Sequence, residues 1–216
     1  GYRKIIDAVI GVPANIEKSD GQVGDTIRKV DGEDKVAGRE VFGDDIAPAG
    51  TLEIFVIRSP FHRAAFSFGD LDEFVSSSQG IEAFLTAADI GGHNVFGVIP
   101  QFMDQPVFAE TETRFRGEAV AAVIGTSAAI ANFNPETFPV SWTELAAVNN
   151  IVSAQKPTAV QLHEGREFNV MCGGFVSSGD AKAALERADV TVEGHFNSGF
   201  VEHAYIEPEA GFAEMV

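Results

Sequence analysis

The chain has 216 residues, 45% of them hydrophobic and 22% charged, values ordinary for a globular protein of one or two domains with a stable core. Its 32 acidic and 15 basic residues give a net charge of −17, which argues against nucleic acid and anionic membranes as partners, because both select clustered Lys and Arg. A single cysteine, Cys172, excludes an intrachain disulfide. It reads as a small buried apolar residue in a reducing compartment, so a cytoplasmic location is expected.

In chain order, apolar residues at 2, 5, 6, 9 and 10 have helical spacing, and Gly11 and Pro13 end that helix. Nine residues make no stable helix alone, so it is expected to pack on polypeptide preceding Gly1. The short apolar patch holds Asp7 and no cleavage site, so it is not a signal peptide. No apolar run is long enough to span a membrane. Residues 14–30 read as a polar linker, and 29–52 as turn-rich, with Asp-Gly at 31–32 and Gly-Asp at 43–44. Strands are expected at 51–59 and 63–69. A short helix follows, with Asp70 as its N-cap and Glu73 three residues on. A strand from Ile81 ends at Thr86, which can cap a helical turn. Residues 94–110 form a loop with two prolines, and 113–125 two strand pieces broken at Gly117. A short helix capped by Thr126 or Ser127 comes next, and alternation resumes over 138–148. Residues 149–168 read as a linker. "DAKAALERA", 180–188, is a one-sided helix capped by Ser178 or Asp180. Period-two alternation at 190–196 and Pro208 argue for strands from there on. Interleaved strands and short helices make the fold class α+β.

Candidate chemistry is sparse. In "FVEHAYIEPEAGFA", residues 200–213, His203 and Glu207 share a face on a helix or a strand. On a strand they lie about 13 Å apart, too far to ligate one ion through bonds of about 2 Å. His62 reads as a loop residue after a strand, His93 and His163 as solvated loop residues, and His195 as a structural residue on the more polar face of its strand. Arg114 and Arg116 share a strand face and suit surface ion pairs. No phosphate loop, dinucleotide fingerprint or nucleophile elbow occurs. From the residues alone, the chain is an acidic α+β protein without a self-sufficient active site.

Four stretches, in order, resemble the molybdenum hydroxylases, the xanthine dehydrogenase and aldehyde oxidoreductase family. "GYRKIIDAVIG" is similar to the tail of the family's second iron–sulfur region, matching at Gly1 and Tyr2. "RKVDGEDKVAGREVFGDDIAPAGTLEIFVIRSP" resembles the entry to the molybdenum-binding portion, at Asp31, Lys35, Val36, Gly38, Asp44, Leu52 and Arg58-Ser59-Pro60. "QPVFAETETRFRGEAVAAVIG" matches at Pro106, Phe115, Arg116, Gly117, Glu118, Val120 and Ala121. "ADVTVEGHFNSGFVEHAYIEPEAGFA" resembles the first strands of the following domain, at His203, Ile206, Glu207 and Ala213.

The resemblance implies the end of an iron–sulfur domain plus linker at 1–25 and an α/β-hammerhead domain at 26–148. It implies a linker at 149–164 and the first strands of a molybdopterin-binding domain at 165–216. For the complete enzyme it implies a molybdenum–molybdopterin centre that hydroxylates an aldehyde or N-heterocycle with oxygen from water. A glutamate serves there as general base, and 2Fe–2S clusters carry the electrons away. This chain departs from the family pattern. One cysteine cannot hold a cluster. Gly173-Gly174-Phe175 lacks the final Gly of the family's Gly-Gly-Phe-Gly loop and lies upstream of the strands. Glu207 matches a strand position, not the late catalytic glutamate. No catalytic, cofactor-binding or metal residue is therefore assigned, and His203 and Glu207 are structural positions. The expected role is that of a scaffold segment, inactive alone. Its partners would be the remaining molybdopterin-binding polypeptide and an iron–sulfur subunit or domain. A non-catalytic interaction module with the hammerhead fold is the alternative, and a small enzyme using His203 and Glu207 a third reading. The loop "FGVIPQFMDQP", 96–106, is expected to face a channel or a partner, or to pack in the core.

Overall fold

The structure, a computed structural model, describes residues 29–199, 201–205 and 207–214, with residues 6, 9, 10 and 23. The helix expected over 2–10 and the linker over 14–30 fall largely outside the described residues. Within them, the Ile10 N–H donates to the Ile6 carbonyl at 3.0 Å. The chain divides into two compact units, Gly1–Ala47 with Phe200–Val216, and Pro48–Gly199.

In the first unit the Asp-Gly pair at 31–32 opens a helix instead of a turn. Helix α1 spans Gly32–Val36, with Glu33 and Asp34 in its first turn, where the positive end of the helix dipole favours them. Lys35 reaches back to Asp31 at 2.5 Å across one turn. Arg39 pairs with Asp34 at 3.0 Å. The i, i+4 charge pair supplies what a turn reading of Asp-Gly leaves out.

The second unit is built on two antiparallel three-stranded sheets. Strands β1 (Glu53–Arg58), β3 (Ile81–Thr86) and β5 (Ala119–Gly125) form the first, in the order β1-β5-β3. Central β5 runs Ala-Val-Ala-Ala-Val-Ile-Gly, and Val120, Ala121, Ala122 and Val123 are all buried. A strand covered on both faces reads as one apolar run without alternation. Its last residue must be glycine. A Cβ on Gly125 would stand 2.6 Å from the Gly80 carbonyl oxygen. Strands β2 (Ala64–Phe68), β4 (Glu112–Thr113) and β6 (Val140–Glu144) form the second sheet, in the order β4-β2-β6. Phe66 pairs with Trp142, and their rings lie 5.5 Å apart.

Two short helices cover the core. In α2 (Leu71–Ser77) the Asp70 carboxylate accepts the Glu73 N–H at 2.8 Å, the cap its sequence announces. In α3 (Ser127–Ala131) Thr126 accepts the Ala129 N–H at 3.3 Å. Phe74 of α2 meets Phe138 edge-on at 5.4 Å, and Phe138 meets Phe68 of β2 at 6.0 Å. These aromatic contacts join helix and sheet around Ile57, Ile81, Val120 and Val123.

The expected linker at 149–168 carries structure of its own. Helix α4 (Ile151–Ala154) is capped by Asn150, which accepts the Ser153 N–H at 2.8 Å. Asn169 then acts as a local anchor. Its amide donates to the carbonyls of Ala154 and Val160 at 3.0 and 2.9 Å, and its oxygen accepts the Leu162 N–H at 2.8 Å. Helix α5 (Ala181–Glu186) is capped by Asp180, at 2.9 Å from the Ala183 N–H. Beyond it the structure corrects the sequence reading. The described residues from 189 to 214 form no strand. Alternation is a property of one segment, whereas a ladder needs two, and this segment meets no partner strand among the described residues. Cys172 is a second correction. It is exposed, because its flanking residues 170–182 are exposed as well and bury nothing.

Candidate functional site

The most constrained polar groups surround the connection between β4 and β5. Residues 114–118 turn sharply there, with Gly117 at a φ of +95° that a side chain would strain. The turn is fastened to the end of β1. Ser59 N–H donates to the Glu118 carbonyl, Gly117 N–H to the Ser59 carbonyl, and the Arg58 guanidinium to the Gly117 carbonyl, each at 2.9 Å. Thr113 Oγ1 stands 3.0 Å from Ser59 Oγ. This fastening brings the Glu118 side chain inside, where it is 2% exposed.

One Glu118 carboxylate oxygen accepts the Arg114 backbone N–H. The other, Oε1, has no hydrogen bond, although Arg114 Nη1 lies 3.7 Å away. At that distance the guanidinium supplies charge but no hydrogen bond. Arg114 is directed elsewhere by its Nε, which donates to the Leu162 carbonyl at 2.6 Å. The pair thus joins the two-sheet core to the Asn169-anchored segment. Arg114 and Arg116 do not share a strand face as expected. Both lie in the turn, because Gly117 bends the chain between the two strand pieces, and Arg116 points into solvent.

A second set of charges sits beside the first. Arg63 grips Glu112 with two hydrogen bonds, at 2.7 and 2.9 Å. Arg166 Nε donates to Asp104 Oδ2 at 2.9 Å, its other nitrogens donate to the Gln101 and Met171 carbonyls, and its plane lies over the Phe102 ring at 5.1 Å. His163 Nδ1 is 3.8 Å from the same Asp104 oxygen, so this histidine is half-buried beside a carboxylate, not solvated. Between these groups lies a depression of about 290 Å³, lined in part by Asn94, Asp104, Glu112 and Arg114. Of its three carboxylates, Asp104 and Glu112 are each held by an arginine and Glu110 stands 3.5 Å from the Asn94 amide, so the arrangement fixes backbone segments in place. Among the described residues no three His, Cys, Asp or Glu side chains converge as metal ligands would.

His203 and Glu207 lie in the exposed segment without strand structure. His203 stacks on Tyr205 with ring centroids 5.9 Å apart, and its backbone N–H donates to the Glu202 carboxylate. His62, His93 and His195 are exposed and are not brought together. The sequence reading overlooked Arg166 and Asn169, whose partners lie far along the chain and leave no local pattern. Glu118 was named only as a motif position, and its burial had a further signal, a charged residue directly preceding a wholly apolar strand.

Two antiparallel sheets, short capped helices and the strand–turn–strand around Glu118 define an α+β domain of the hammerhead type. The model of the aldehyde oxidase and xanthine dehydrogenase a/b hammerhead domain matches residues 37–146, and the chain belongs to that family of oxidoreductases. A probable xanthine dehydrogenase subunit of Bacillus subtilis (strain 168) is 31% identical over 184 residues, covering 85% of this chain and 24% of that protein. The nicotinate dehydrogenase large molybdopterin subunit of Eubacterium barkeri is 27% identical over 183 residues, covering 85% of this chain and 42% of that protein. The solved aldehyde oxidoreductase from Desulfovibrio gigas superposes with a TM-score of 0.68 at 24% identity, over 89% of this chain and 22% of that one. The chain therefore spans less than half the length of these relatives. Among the described residues no helix is long and apolar enough to cross a membrane.

Proposed function

We propose that this chain is a scaffold segment of a molybdenum hydroxylase that inserts water-derived oxygen into an aldehyde or N-heterocycle, and that it is inert by itself. The observation that carries this reading is the exposed stretch after α5. Val192 and Phe196 are 93% and 92% exposed, and Val190, Val201 and Phe212 also face solvent. So much alternating apolar surface suits residues that become sheet only when further polypeptide is added.

The complete enzyme would use a molybdenum–molybdopterin centre for the oxidation and 2Fe–2S clusters to remove electrons. The described residues do not fit either group. They offer no convergent ligand set, and their one cysteine cannot hold a cluster. No chemical step is therefore assigned to them. Their work is mechanical. Arg63, Arg114 and Arg166 hold loops in place through paired carboxylates and carbonyls. In this reading residues 26–148 are the hammerhead domain, 149–164 a connection and 165–216 the start of the molybdopterin-binding domain. Residues 1–25 would close an iron–sulfur domain, His203 and Glu207 would take strand positions, and the assembly would be cytoplasmic. The partners are the rest of the molybdopterin-binding polypeptide and an iron–sulfur subunit or domain.

The test is to produce this chain with the polypeptide that follows it in its relatives, then measure native mass and bound metal. Molybdenum in the assembly, with no turnover by the chain alone, is the expected result. An assembled but molybdenum-free complex, or hydroxylation by the chain alone, would overturn the reading.

A further inference from the structure

The hairpin at 94–108 is fastened at its base and along one side, yet the apolar side chains of Val98, Ile99 and Met103 at its tip stay exposed. At the base, the Asn94 amide closes a two-way clamp. Its nitrogen donates to the Phe108 carbonyl at 2.8 Å, and its oxygen accepts the Phe108 N–H at 3.1 Å. Phe108 and Ala109 are buried, so the clamp fixes the hairpin to the core. One rung higher, the Phe96 N–H donates to the Gln105 carbonyl at 2.9 Å. Gly97 lets the two arms close. A Cβ there would lie 3.2 Å from Met103 Cα. The Phe102 N–H then turns back to the Ile99 carbonyl at 2.8 Å.

Arg166 holds the far side of the tip from another part of the chain. It engages the Asp104 carboxylate, the Gln101 carbonyl and the face of Phe102 together. A planar guanidinium with donors on its edge and an aromatic ring on its face suits such a clamp, and lysine could not replace it. What the clamp presents is apolar. Residues 94–103 carry no charge, in a chain that is 22% charged. Val98 is fully exposed, Ile99 52% and Met103 41%. A stiff, uncharged knob has already lost its conformational entropy, which lowers the cost of binding.

We infer that this hairpin is a docking element, and that its occupant is an apolar surface on the polypeptide completing the relatives' length. The inference rests on the scaffold reading above and adds the contact and the residue that positions it. Two features choose the occupant. The relatives extend well beyond this chain, which covers 24% and 42% of two of them. A second copy or an anionic membrane would meet a chain of net charge −17, and like charge opposes both. Arg166 acts as a positioning residue, setting the tip without touching the partner.

Hydrogen exchange on the complete protein, this chain with the polypeptide that follows it, tests the inference. The amides of 97–103, Pro100 excepted, should exchange at least tenfold more slowly there than in this chain alone. Val98→Asp with Ile99→Asp should abolish that protection in the complete protein and leave the thermal midpoint of the chain alone unchanged, since both residues are exposed. Arg166→Gln should speed exchange at Phe102 and Asp104 in the chain alone, which a partner-contact role would not do. Equal exchange in both forms, or full protection in the double variant, would overturn the docking role. Protection that appears in the chain alone and grows with its concentration would overturn the chosen occupant in favour of a second copy. Wild-type exchange at Phe102 and Asp104 in Arg166→Gln would overturn the clamp. The molybdenum content of the same wild-type sample separates these outcomes from failure of the scaffold reading.

Discussion

Removing the Glu118 carboxylate should destabilise the fold more than any exposed substitution, and replacing both partners of its pair should cost less than the two single removals added together. Glu118 is 2% exposed and Arg114 half-buried, so solvent screens the pair weakly. At 3.7 Å and an effective dielectric of about 20, two unit charges attract by about 4.5 kcal/mol before desolvation is subtracted. Glu118→Ala also strips the Arg114 N–H of its acceptor, a charge-assisted bond worth about 1.5–3 kcal/mol. With desolvation of the carboxylate relieved, a net loss of about 3 kcal/mol is expected. In a chain of this size that lowers the thermal midpoint by about 6–12 °C. Arg114→Met leaves a carboxylate buried without its cation and should cost about as much. The double variant Arg114→Met/Glu118→Met should recover about 2 kcal/mol relative to the sum of the singles. Urea unfolding reports this directly, because the single tryptophan, Trp142, is packed against Phe66 in the same core. A loss below about 1 kcal/mol for Glu118→Ala, or additive single variants, would refute the reasoning.

Gly125→Ala should cost about 2 kcal/mol or more, because the new methyl would meet the Gly80 carbonyl at the end of the central strand of the first sheet, and thermal unfolding would show it. His203→Gln and Glu207→Gln should each change the stability of the chain alone by less than about 0.5 kcal/mol, since both side chains are exposed; a larger loss in urea would mean they are engaged. The Lys35 hydrogen bond holds the Asp31 carboxyl below its ordinary range, and Asp31 in turn raises Lys35. The stability this pair lends α1 is therefore full between the two ordinary pKa values. It is lost as pH falls through the lowered Asp31 value or rises through the raised Lys35 value. Carboxyl NMR should show Asp31 titrating at an ordinary carboxylate pH in Lys35→Met, and an unmoved midpoint would contradict the assignment.

Legibility in the sequence followed the range of the interactions. Asp70, Thr86, Thr126 and Asp180 were readable as caps because a cap bonds two or three residues away. Strands β1, β2, β3 and β5 were readable from apolar runs bounded by Gly and Pro, and the Gly117 break separated β4 from β5 as expected. The family emerged from short stretches in a fixed order. What stayed hidden depended on distant partners. Arg166 meets Asp104 some sixty residues away, and nothing near position 166 announces it. Cys172 looked buried by its residue type, but burial requires packed neighbours, and residues 170–182 around it are exposed. The alternation after Asp189 was real in sequence, yet it makes a strand only where a second strand accepts it.

The strand order β1-β5-β3 also has a consequence for the newborn chain. The ribosome makes both outer strands of that sheet before the middle one exists. About sixty residues separate the end of β1 from the start of β5, so at about 5–20 residues per second β1 waits for several seconds without a neighbour. During that delay its Ile54, Phe55 and Ile57 are available to chaperones and to other nascent chains, and slow translation between β3 and β5 would lower the yield of folded protein.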